Sequence, residues 1–172
     1  ESFFSMKRTN LAYQAMALLS QVERKGEGSL HLSLAELNLD SSNFERAQGF
    51  LKQADGSIKP GNSLMGEKEE MWGLLTETLG NNDEAMEHFK RAAQAEPTRL
   101  VPLRKLAMMN AKNQSWHEAA EWMEKYVGEK PPSLGHYWAM LGDYRLAAQE
   151  LDKGLEALET ALHVDPYVFW AH

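Results

Sequence analysis

The stretch Gly80–Pro97, GNNDEAMEHFKRAAQAEP, opens on a turn glycine, closes on a proline and carries alanines at 85, 92, 93 and 95 between them. Read alone it is one amphipathic helix. Its meaning comes from its recurrence. Proline returns at Pro97, Pro131 and Pro166, at spacings of 34 and 35 residues, a period that marks a helical repeat. Five residues before each proline stand Ala92, Tyr126 and Ala161; eight before, Phe89, Met123 and Leu158; twelve before, Ala85, Ala119 and Gly154. Small, large and small-or-flat recur in phase, so each block holds a helix whose small residue admits a neighbouring backbone while the large one fills the space beside it. Proline then ends the helix, because it supplies no amide donor and restricts the residue before it.

A second helix precedes each of these. Trp138, Leu141 and Gly142 lie on one helical face, Trp72 and Gly73 match them in phase, and Leu103, Leu106 and Ala107 do so again. A weaker block uses Leu34 and Ala35, then a turn at DSSN with an N-cap candidate, then Ala47, Leu51 and Ala54. The segment GSIKPGNSLMG adds about four residues as a Gly-, Pro-, Asn- and Ser-rich loop. Upstream, Leu11, Ala15, Leu18 and Val22 form one helical stripe.

With these residues in place, the sequence resembles the tetratricopeptide repeat family over residues 28–168. Gly80, Ala85, Phe89, Ala92 and Pro97 carry the likeness in one block. Leu103, Leu106, Ala107, Ala119 and Pro131 carry it in the next, and Trp138, Leu141, Gly142, Ala161 and Pro166 in the last. The expected fold is all-α, a right-handed α-superhelix (solenoid) of antiparallel helix pairs. Residues 1–27 are expected as a helical segment, a partial repeat or cap. Repeats follow near 28–61, 66–99, 100–134 and 135–168, as one structural domain. Thr76, Asn110 and Arg145 depart from the family pattern by replacing the usual first-helix aromatic. Gly154 replaces a helix-interior alanine at a cost of roughly 1 kcal/mol.

The chain has 172 residues, 43% apolar and 25% charged, enough for a substantial core. No apolar run reaches the roughly 18 residues of a membrane span. A formal charge of −7 disfavours a nucleic-acid partner. The absence of cysteine removes disulfides, thiolate metal sites and cysteine nucleophiles, and fits cytosol, periplasm and extracellular space alike.

What the resemblance implies for function is a groove lined by first helices. Its positions fall on Leu32, Ser33, Glu36 and Asp40, then Glu67, Glu70, Met71, Leu74 and Glu77. They continue on Val101, Arg104, Lys105, Met108, Ala111 and Lys112, and end on His136, Ala139, Met140 and Asp143. Residues 100–134 carry net charge +1, whereas 63–99 and 135–172 each carry −4. Arg104, Lys105 and Lys112 lie near one helical side and suit an acidic side chain or terminal carboxylate of a peptide. Met71, Leu74, Val101, Met108 and Met140 suit a partner helix, and Glu70 and His136 are further candidates of the groove. The plainer readings are a solvated charged face and ordinary core. The carboxylate clamp by which some family members hold chaperone tails is missing, since Leu32 and Glu36 stand at its positions.

Nothing in the sequence points to catalysis, a metal or a cofactor. HEAAE, His117–Glu121, matches the start of HExxH but has Glu121 where the second histidine belongs. Asn113 opens an NQS triplet in a turn. The expected function is a non-catalytic scaffold or adaptor binding a protein or peptide; the alternative is a regulatory or substrate-positioning appendage of a larger enzyme. The ending YVFWAH is expected to lead into a further repeat, or else to dock on a second copy as a homodimer.

Overall fold

In the computed structural model of the protein, residues 26–129 and 135–167 are described. The expected N-terminal segment, Pro131 and residues Val168 to His172 of the apolar ending lie outside them. The described residues form eight helices and no strands: α1 (Glu27–Asp40), α2 (Phe44–Ser57), α3 (Met65–Thr78), α4 (Asn82–Ala95), α5 (Leu100–Lys112), α6 (Trp116–Glu129), α7 (Gly135–Ala147) and α8 (Leu151–Val164). The architecture is all-α, built of helix–turn–helix pairs. By compactness the chain divides into two units, one ending at His88 and one beginning at Phe89.

In the first unit α1 packs on α2 and both pack on α3. Leu32, Ala35, Leu51, Ala54, Met71 and Leu75 form its core, with Ile58 of the following loop added. Fully burying a leucine stabilises by roughly 1.5–3 kcal/mol, and Leu32, Leu51 and Leu75 are completely buried. The loop after α2 is folded on itself: the Asn62 carboxamide oxygen accepts the Leu64 amide at 2.9 Å.

In the second unit α5 packs on α6, α6 on α7 and α7 on α8. Leu103, Leu106, Ala107, Ala119, Met123, Leu141 and Ala161 are buried, the phase residues of the repeat. A Cβ at Gly142 would lie 2.6 Å from the Leu158 side chain and 3.1 Å from the Gly154 carbonyl oxygen; one at Gly154 would meet Leu146 at 2.7 Å. Gly154 is therefore the contact that brings α7 and α8 together, which offsets its poor helix propensity.

One turn geometry recurs between the paired helices. Ser42, Gly80, Gln114 and Gln149 all have positive φ, 57°, 86°, 62° and 63°. Their amides donate to Leu39, Glu77, Ala111 and Leu146 at 2.9–3.0 Å. The next amides, of Asn43, Asn81, Ser115 and Glu150, donate to Asn38, Thr76, Asn110 and Arg145 at 2.7–2.9 Å. This is the Schellman pair of bonds, made four times. Asn43 occupies the N-cap of α2, but its side chain makes no capping bond.

The departures at the first-helix aromatic position are satisfied locally. Thr76 Oγ1 donates to the Trp72 carbonyl at 2.8 Å, and Asn110 Nδ2 to the Leu106 carbonyl at 2.8 Å. Asn38, the same position in the first pair, donates to Leu34 at 2.7 Å. Arg145 is buried and instead reaches across helices to Glu124 and Glu150.

Candidate functional site

The second unit carries six of the candidate residues. Arg104, Lys105, Met108 and Lys112 occupy one side of α5, and His136 and Met140 stand one turn apart on α7. Met108 and Lys112 are exposed; Arg104, Lys105, His136 and Met140 are half-buried. Two tyrosines link these helices. Tyr126 of α6 packs edge-on against Tyr137 of α7 with ring centroids 4.8 Å apart, and Tyr137 lies against the His136 ring at 3.9 Å. Burial, then the hydrogen bond and charge shared with Tyr137, push the Tyr126 phenol up to about 12, while the Arg104 guanidinium pulls the other way. Tyr126 is thus a neutral hydroxyl at ordinary pH, with Arg104 near enough for its charge to be felt. Two phenols and an imidazole from two helices are in ring contact on this face, and the charge of Arg104 on α5 acts on Tyr126. On the same helix, partial desolvation raises the Asp143 carboxyl above its ordinary value, and burial followed by the Asp143 charge raises the Tyr144 phenol.

Sequence reasoning treated Tyr126 only as packing. The signal available was a large aromatic where the flanking blocks carry Ala92 and Ala161.

In the first unit Glu70, Met71 and Leu74 follow one another along α3. Met71 and Glu70 are buried, Met71 within the apolar core, and Leu74 lies half-buried beside it. Leu32 is likewise core. This unit also contains a polar chain missed from the sequence. Lys68 Nζ lies 3.0 Å from Asp55 of α2 and 3.8 Å from Glu69, and Glu69 bonds His88 Nδ1 of α4 at 2.8 Å. Trp72 stacks on His88 at 5.9 Å and points its indole N–H at Asp55, 3.4 Å away. Lys68 and Glu69 are both buried, and charges in such places are held only when paired. Glu69 stands at the phase of Trp138, so the signal was a charge at an apolar position.

The HEAAE helix start resolves into an ion-pair cluster. His117 Nδ1 lies 2.7 Å from Glu150 and Nε2 3.4 Å from Glu121, while Lys153 and Arg145 converge on the same Glu150. The His117 hydrogen bond above all, then those of Lys153 and Arg145, hold the Glu150 carboxyl down to about 2. Two fixed cations beside this carboxylate make it a salt-bridge partner rather than a metal ligand. Among the described residues no group of three or more His, Cys, Asp or Glu is placed to hold a metal ion. No described helix is long and apolar enough to cross a membrane. Asn113 lies exposed at the C-cap of α5.

Clefts lie elsewhere among the described residues, two of them partly apolar. One of about 630 Å³ is lined by Leu34, Leu37 and Phe50 in the first unit. The other, of about 610 Å³, is lined by Leu103, Trp122 and Lys125 in the second, where Lys125 Nζ sits 4.2 Å over the Trp122 ring.

A chain of helix pairs with small-residue contacts, Schellman turns and a 34-residue period is a TPR-like helical repeat, and solved structures share the fold. MamA from Desulfovibrio magneticus RS-1 matches at 21% identity and TM-score 0.64, over 81% of this chain and 76% of that one. The C-terminal part of a TPR repeat-containing protein from Cytophaga hutchinsonii matches at 15% identity and TM-score 0.69, over 97% and 64%. YrrB, a TPR protein with an unusual peptide-binding site, matches at 15% identity and TM-score 0.64, over 94% and 81%. No family model matches the chain, and no curated protein matches it.

Proposed function

We propose that the chain is a non-catalytic protein-interaction domain built of four repeats. In the second unit it receives a peptide bearing an acidic group on the α5–α7 face. The observation that carries this reading is the Tyr126–Tyr137–His136 ring contact, with Tyr126 feeling the charge of Arg104. A guanidinium recognises a carboxylate with two parallel bonds, and neutral phenols add donors without adding charge. Lys105 and Lys112 extend the cationic row, and Met108 and Met140 supply adaptable apolar contact. The peptide-binding site of YrrB supports the same kind of use for this fold.

The test is affinity capture with the purified chain beside its Arg104→Glu, Lys105→Glu variant, with captured proteins identified by mass spectrometry and their retention followed against salt. A protein held by the unmodified chain, released by rising salt and lost with the variant supports the reading. Equal capture by both chains removes the basic face from it.

A further inference from the structure

The α5 face holds one side chain that can be changed covalently. Met108 is 45% exposed, whereas Met71 and Met123 are buried, and so is Met109, the next residue in the chain. The other described methionines, Met65, Met86 and Met140, are half-buried. The 172 residues contain no cysteine, so no thiol on the chain competes for an oxidant. We propose that Met108 is a redox-modification site: a hydroperoxide converts it to the sulfoxide, and the sulfoxide weakens the hold of this face on an acidic peptide. That effect on binding rests on the role proposed above, whereas the modification itself rests on exposure and chemistry.

The surroundings favour the reaction. On a helix, residues three and four apart are neighbours, which sets Arg104, Lys105 and Lys112 around the Met108 thioether. Among the described residues, neither Arg104 nor Lys112 is held in an ion pair. With hydrogen peroxide, the sulfur lone pair attacks one oxygen and the O–O bond breaks. The sulfur keeps that oxygen and is oxidised by two electrons; the other oxygen leaves as hydroxide, takes up the proton shed by the first and becomes water. A neighbouring guanidinium and ammonium stabilise the charge that develops on the departing oxygen. Oxidation follows exposure, so Met109, buried beside it in the sequence, reacts slowly.

The product changes the face in two ways. A flexible apolar contact becomes polar. Its new oxygen is also an acceptor placed between Arg104, about one turn before it, and Lys112, about one turn after, and both of these groups only donate. Cations that bond the sulfoxide are withdrawn from a carboxylate. Reduction by a methionine sulfoxide reductase reverses both changes.

The full chain is treated with hydrogen peroxide and followed by tandem mass spectrometry, with a fluorescein-labelled oligoglutamate peptide as the binding probe. Met108 should gain one oxygen at least ~10-fold faster than Met109. Affinity for the probe, read by anisotropy, should fall about 5-fold, the worth of one exposed ion pair, and return after treatment with methionine sulfoxide reductase. Met108→Leu, whatever its own affinity, should be indifferent to peroxide, and Met108→Gln should bind as weakly as the oxidised chain. Circular dichroism before and after peroxide separates a local change from unfolding. The proposal is overturned if Met108 reacts no faster than Met109, if the oxidised chain keeps its affinity, or if peroxide weakens Met108→Leu equally. A chain that does not bind the probe even before peroxide removes the acidic-peptide reading and the effect on binding with it, and the oxidation rates then decide the modification site.

Discussion

At the scale of single residues, the four helix–helix turns set one backbone demand and meet it with different side chains. Gly80 takes its positive φ without steric cost, whereas Ser42, Gln114 and Gln149 hold a left-handed conformation that crowds a Cβ. The two Schellman bonds at each turn keep them there. Replacing Gln114 or Gln149 by glycine should therefore raise stability by about 0.5–1 kcal/mol each, despite the greater freedom glycine gives the unfolded chain. Chemical denaturation of each variant measures it, and an unchanged or lowered midpoint would show that the left-handed residue carries no strain. The glycine turn at Gly80 was legible in the sequence. The other three were not, because serine and glutamine give no sign of positive φ until the hydrogen bonds around them are seen.

At the scale of elements, the small residues act as spacers. Gly142 and Gly154 face each other's helices, and the Gly154 carbonyl lies 3.1 Å from where a Cβ on Gly142 would sit. A Gly142→Ala change gains helix propensity of up to ~1 kcal/mol but forces Leu158 and the α8 backbone outward, at a typical overpacking cost of ~1–3 kcal/mol. The expected net outcome is a lower melting temperature, read by thermal denaturation; a rise would mean that Leu158 rotates away freely. These spacers were readable from their 34- and 35-residue recurrence. The polar interlocks were not. Glu69 and Arg145 occupy positions where the period calls for apolar side chains. Their partners, His88 in one case and Glu124 and Glu150 in the other, come from different helices. Periodicity places a residue on a face, but it does not say which charge a neighbouring helix will bring to it. Tyr126 was hidden for the same reason: its ring contact is with Tyr137 of a different helix.

For the molecule as a whole, the two compact units each carry a charged crossing between helices, and the one in the second unit makes its stability depend on acid. The Glu150 carboxyl is held at about 2 when folded, against an ordinary value of 4.5, first by its His117 hydrogen bond. A depressed carboxyl contributes stability that is present above its unfolded value and is lost as pH falls towards its folded one. Thermal stability should thus decline between pH 4.5 and about 2, and Glu150→Gln should flatten that decline while lowering stability near neutrality. Melting curves across this range decide it; an acid limb identical in both chains would assign the loss to other carboxylates. The all-helical repeat was readable at this scale because the period is set by backbone geometry, whereas the division near His88 was not, since the period runs through it unbroken.

The stack of Trp72 on His88 bears on how the molecule can be observed. Trp72 is the sole tryptophan before residue 116, and it is anchored between an imidazole and the Asp55 carboxylate. The first unit thus carries its own optical probe, an indole whose emission is set by the ring beneath it. The difference in fluorescence between the chain and its Trp72→Phe form isolates the opening of that one unit, with no dye attached.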